Sequence, residues 1–169
     1  ISACLVGSEM CIRDSLYRAP KLEMKSLNIG AVAQKYADTF DIDSDGAVEM
    51  AKLTKGYPFA FQVLGYLTWN NNGDYKGVLA EYRQYLEEYV YEKIWSELSS
   101  KDKEIAFAIA QCETGKIKDI RELLHIDTNQ FNPYRKRLIK KGIVDGSEYG
   151  FVRFTLPFFE QFVIENYYD

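Results

Sequence analysis

Histidine occurs once, cysteine three times and proline four times in 169 residues, and each scarcity removes a class of chemistry. His125 supplies no imidazole pair for a metal, and it stands at an expected helix end between Leu124 and Ile126, where a structural role outweighs a catalytic one. Cys4 and Cys11 fall in a suspect N-terminal stretch, which leaves Cys112 alone. A single thiol builds no disulfide framework, and without a base beside it there is no activated nucleophile. That cysteine usage suits a reducing, cytoplasmic setting. No apolar run approaches the length of a membrane span. The chain also lacks a G-x-x-x-x-G-K-[S/T] loop, a G-x-G-x-x-G turn and any Cys/His set at metal-ligand spacing. This segment is therefore expected to turn over no substrate by itself and to hold no metal. Its formal net charge of -4 argues against a nucleic-acid binder over the whole surface, although charge can be local.

What the chain has in quantity is aromatic carbon. With 13 Tyr, 10 Phe and 2 Trp in a composition that is 47% hydrophobic, it can bury a sizeable core in one domain or two small ones.

Residues 1–15 are set aside. They have neither the cationic start nor the apolar centre of a signal peptide. From Glu9 to Asp14 they resemble the conceptual translation of a transposase adapter, whose mosaic end read as GAG ATG TGT ATA AGA GAC gives Glu-Met-Cys-Ile-Arg-Asp. An artefact and a disordered N-terminus make the same structural prediction. The adapter reading also implies a parent protein that continues upstream.

From Leu16 onward the pattern is mainly α. Asn28 caps a helix through about Phe40, and a second runs from Ala47 to Lys55 and stops at Gly56. Pro58 opens a third, since its fixed φ and missing N–H suit a first turn. That helix carries Phe59, Phe61, Val63, Leu64, Tyr66, Leu67 and Trp69 on nearly every side and should be buried. After the turn at Asn70 to Asp74, a long helix is expected from about Tyr75 to Leu98. Val78, Tyr82, Tyr85 and Tyr89 form its apolar row, and Glu81, Glu87, Glu88 and Glu92 stay wet.

Beyond it, Ser99 or Ser100 caps a helix, Lys116 to His125 forms a short one, and Gln130 to Lys141 a third. Ile143 to Thr155 reads as a two-stranded hairpin, and Pro157 starts a last helix. Three helices, a hairpin and a closing helix predict a winged helix-turn-helix over 99–169, joined by the long helix to a helical unit over 16–98.

Two stretches invite chemistry. The third helix of the C-terminal unit holds Arg135, Lys136, Arg137, Lys140 and Lys141, with no acid between Asn129 and Gly142. An acid-free cationic face at that position can contact DNA phosphates. It is equally a solvated face whose cations favour the helix C-terminus, or part of a protein-docking module. The second stretch, Asp41-x-Asp43-x-Asp45-Gly46, matches the first half of an EF-hand loop. Lys52 stands where the twelfth-position carboxylate belongs, so the aspartates read as helix caps.

With these elements in order, residues 16–169 resemble the C-terminal part of a P-loop ATPase of the AAA+/STAND type, closest to the archaeal-ATPase group. Thr54-Lys-Gly-Tyr-Pro-Phe-Ala-Phe-Gln-Val-Leu-Gly65 is similar to the Gly-x-Pro lid motif of STAND ATPases. The resemblance implies a helical lid over 16–98, with Pro58 near the adenine of ATP or ADP, Gly56 and Tyr57 beside it, and Arg18 as a nucleotide sensor. It implies a P-loop domain upstream, carrying the Walker A and B motifs absent here, as the partner that holds the phosphates. The alternatives are a free-standing winged-helix transcriptional regulator and a winged helix that docks a protein.

Overall fold

The computed structural model describes residues 25–168. Arg18 and residues 1–15 lie outside them. The architecture is mainly α-helical with one small antiparallel hairpin.

Three helices form the first layer: α1 (Ile29–Thr39), α2 (Ser44–Leu53) and α3 (Pro58–Asn70). The Asn28 side chain accepts from the Ala31 N–H at 3.1 Å and starts α1. Asp43 accepts from the Gly46 N–H at 2.9 Å and starts α2. Each meets a backbone donor that the first helical turn would otherwise leave unpaired. Helix α1 packs on α2. The Tyr36 hydroxyl, buried at their junction with α3, donates to the Phe61 carbonyl at 2.8 Å.

The expected long helix starts four residues later and is not regular. The Asp74 carboxylate accepts from the N–H groups of Lys76 and Gly77, each at 3.1 Å. This diverts donors that a helix there would use, and helix α4 runs only from Leu79 to Leu86. A π-helical turn, Glu87–Tyr91, follows and leads into α5 (Glu92–Ser96). The buried seam therefore advances Val78, Tyr82, Leu86 and then jumps to Tyr91, Trp95 and Leu98. Tyr89, expected on the apolar row, is instead 65% exposed.

This bent rod is the spine of the molecule. On one side the Tyr82 hydroxyl donates to the Leu53 carbonyl of α2 at 3.2 Å. On the other, the Tyr91 hydroxyl donates to the Pro157 carbonyl, and its ring meets Phe159 edge-on at 5.0 Å. Arg83 adds an ion pair to Glu87 and another to Glu165.

The remaining elements are α6 (Ser100–Gln111), α7 (Ile117–Leu124), α8 (Thr128–Lys140), β1 (Val144–Asp145), β2 (Arg153–Phe154) and α9 (Phe159–Asn166). Ser99 and Asp102 form a reciprocal capping box at the start of α6, and Asp127 and Gln130 form another at α8. In the hairpin Val144 faces Phe154 and Asp145 faces Arg153. A bridge between Lys116 and Phe151 ties the lead-in of α7 to the same ribbon. The last helix starts two residues after Pro157, because Phe158 turns the corner in the left-handed conformation (φ 57°). Its ring lies edge-on to Tyr82 at 5.7 Å. Helix α9 packs on α6 and on the π turn, and the buried residues form one continuous cluster from Val32 to Val163.

Candidate functional site

The corner between α2 and α3 is fastened by side-chain and backbone hydrogen bonds around Thr54 and Gly56. Buried Thr54 donates its hydroxyl to the Ala51 carbonyl at 2.7 Å and accepts from the Gly56 N–H at 3.1 Å. Lys55 and Gly56 then take consecutive left-handed conformations, φ 48° and 72°. The Gly56 carbonyl accepts from the Leu27 N–H at 2.8 Å, drawing the lead-in segment across the corner. A Cβ at Gly56 would lie 2.5 Å from the Leu27 carbonyl oxygen, so glycine is required by space as well as by φ. Tyr57 caps α3 with extended backbone, and Pro58 occupies the first turn without a wasted donor.

This corner is one wall of a cleft of about 790 Å3. Tyr57, Pro58 and Phe59 line it with flat and apolar surface, and the Tyr57 and Phe59 rings are 6.4 Å apart. Ile94, Ile139 and Leu156 supply aliphatic surface from α5, α8 and the stretch after β2. Lys140 and Lys141, at the C-terminal end of α8, form the cationic rim with Lys25. Burial holds the Tyr57 phenol above its ordinary range, so it remains a neutral donor. Lys55 reaches from the corner toward the hairpin and donates to the Phe154 carbonyl at 3.3 Å. Burial pushes its ammonium down, with the Glu160 carboxylate opposing.

Residues expected at two separate sites thus share one opening: Gly56, Tyr57 and Pro58 from the corner, Lys140 and Lys141 from the cationic helix. The other basic residues of α8 divide. Arg135 donates through Nη2 to the Gly146 carbonyl at 3.1 Å, fastening α8 to the hairpin turn. Arg137, expected among the phosphate-contacting cations, instead pairs through Nη1 with Asp102 at 3.0 Å and lies over the Tyr134 ring at 5.2 Å. Asp102 is 2% exposed, so this pair joins α8 to the capping box of α6. Lys136 is exposed and makes no ion pair among the described residues. Lys25, Ile94 and Leu156 were not anticipated as lining residues. They come from three segments distant in sequence, and no local pattern gathers them.

Elsewhere, His125 closes α7 in the left-handed conformation, and Cys112 closes α6 with Sγ 3.3 Å from the Thr114 hydroxyl. Asp43 and Asp45 serve the start of α2. Among the described residues no group of three or more His, Cys, Asp or Glu is placed to hold a metal ion. Nor is any helix among them long and apolar enough to cross a membrane.

Residues 88–163 match a family model described as a domain of unknown function (DUF8462). The match begins inside the π turn and runs into α9, crossing the boundary drawn at Leu98 and Ser99. No curated protein and no solved structure matches the chain.

Proposed function

We propose that this chain is the helical lid and winged-helix part of an ATP-binding switch of the AAA+/STAND type, and that the cleft receives the nucleotide. The supporting observation is that the Gly56-Tyr57-Pro58 corner and the Lys140–Lys141 end of α8 line the same opening. The cleft volume lies within the usual range for small-molecule sites, roughly 300–1,000 Å3. Its ring surfaces suit a purine base, and its lysines suit phosphate oxygens.

The fit covers recognition and not catalysis. Pro58 removes an N–H from the start of α3, and among the described residues no glycine-rich cradle lines the cleft; on this reading the P-loop core that the resemblance implies holds the phosphates and carries out hydrolysis. This chain's own part is to grip the base at Tyr57 and Pro58 and to sense the phosphates through Lys140 and Lys141. Because these residues belong to different elements, a ligand between them biases how the corner stands against α8, which is the basis of a rigid-body switch. With only exposed lysines for the phosphates, affinity of the segment alone is weak, on the order of 1 mM.

The test is the reading frame ahead of Leu16 in an intact clone. A phosphate-cradling loop followed by strands supports the proposal, and its absence removes it. A clear ATPase rate from residues 16–169 by themselves would also contradict it.

A second reading, a DNA-binding winged helix, is favoured by one observation: Lys136 and Lys140 are exposed on a helix with no acid between Asn129 and Gly142. It predicts duplex binding that falls steeply with salt and is lost on Lys136→Glu and Lys140→Glu.

A further inference from the structure

The π turn has a consequence at the surface. In a regular helix the seam through Val78, Tyr82 and Leu86 would continue at residue 89 or 90. The wider turn delays it to Tyr91 and puts Tyr89 outside, 65% exposed. Such turns are rare and recur at functional positions. Tyr89 stacks on Tyr85, with ring centroids 5.5 Å apart and planes 22° from parallel. Tyr66, from α3, is 59% exposed alongside. Glu81 stands one turn before Tyr85 on α4, Glu88 is tied to the same helix through Gln84, and α3, which carries Tyr66, packs on α4; partial burial first, and then these neighbours, hold the Tyr85 phenol above its ordinary range. Glu88 accepts only from the neutral Gln84 amide, and neither Glu81 nor Glu88 joins an ion pair among the described residues.

We propose that this Tyr66–Tyr85–Tyr89 face, flanked by Glu81 and Glu88, docks an arginine-bearing cationic segment of a partner protein. Tyrosine rings attract a cation over their faces, and a guanidinium, being planar and weakly hydrated, stacks on them better than an ammonium. The carboxylates match its charge and repel phosphates, so a protein segment fits where a nucleic acid does not. None of the three tyrosines lines the cleft, and the inference holds whether or not the cleft binds a nucleotide.

The experiment follows the anisotropy of fluorescein-labelled octa-arginine as the full chain is added, with octa-lysine as comparator. The net charge of -4 attracts any polycation, so the deciding variant is Tyr89→Ala, which leaves charge unchanged. Saturable binding that prefers arginine, weakens roughly fivefold or more in Tyr89→Ala and survives in Tyr89→Phe is expected, since the ring face carries the attraction. The double variant Glu81→Gln, Glu88→Gln should weaken it as well. Non-saturable binding, no arginine preference or full affinity in Tyr89→Ala would overturn the proposal. So would self-association in sedimentation velocity that Tyr89→Ala abolishes, because the face would then belong to a second copy. Circular dichroism checks the fold, and if Tyr89→Ala does not fold, Tyr66→Ala gives the same readout.

Discussion

Replacing Gly56 by alanine perturbs the corner on which the cleft is built, and its cost divides into two parts. Alanine at φ 72° loses about 1–2 kcal/mol relative to glycine because its Cβ crowds the following carbonyl. At this position the Cβ also meets the Leu27 carbonyl oxygen at 2.5 Å. Backbone must move, and the 2.8 Å bond from the Leu27 N–H to the Gly56 carbonyl is strained or lost, adding about 1 kcal/mol. Gly142 isolates the first part: it has φ 71° with nothing within 4 Å of an added Cβ. Reduced freedom of the unfolded chain returns about 0.4–1 kcal/mol in both variants. Net losses of about 2 kcal/mol for Gly56→Ala and about 1 kcal/mol for Gly142→Ala are expected. In urea, with m near 2 kcal/mol/M, that separates their midpoints by about 0.5 M at unchanged m. Equal midpoints would refute the close approach at Leu27 as the reason for glycine.

Tyr36, Tyr82 and Tyr91 are held well above the ordinary 10.0 by burial. Above pH 10 the unfolded chain releases these protons and the folded chain keeps them. Stability is therefore intact below pH 10 and falls as pH rises, by about 1.4 kcal/mol per pH unit for each tyrosine; thermal melts from pH 9 to 11 should show it, with a shallower slope in Tyr82→Phe. Tyr91→Phe should cost about 1–3 kcal/mol at neutral pH by leaving the Pro157 carbonyl unpaired, measured by chemical denaturation. Arg137→Ala removes the cationic partner of the buried Asp102 carboxylate, which keeps its Ser99 bonds, and should destabilise by about 1.5 kcal/mol, whereas Lys136→Ala should change stability by less than about 0.5 kcal/mol. Similar values for the two would contradict the division of labour along α8.

Local chemistry made much of the fold readable. Asn28 and Ser99 announce helix starts because their side chains satisfy donors in the next turn, and Gly56 with Pro58 marks a corner through their own backbone preferences, although not the approach of Leu27 that also requires the glycine. The π turn was not readable: its residues are compatible with an ordinary helix, and Leu53 and Pro157, which the flanking Tyr82 and Tyr91 reach, lie 29 and 66 positions away from them. The delayed start at Leu79 has a local cause in Asp74, hidden by the continuous apolar row. At the candidate site, the corner and the lysine run were each visible, but not that they face each other. Arg135 and Arg137 looked like free cations because Gly146 and Asp102, which occupy them, lie 11 and 35 positions away.

The most direct test of the cleft is a titration of the isotopically labelled chain with millimolar ADP, read residue by residue from amide chemical shifts. Saturable shifts at Gly56 and Tyr57 together with Lys141 and Gly142, abolished in Lys140→Glu, Lys141→Glu, are the predicted result. Shifts confined to scattered surface lysines, or none at the corner, would contradict a nucleotide held between α3 and α8.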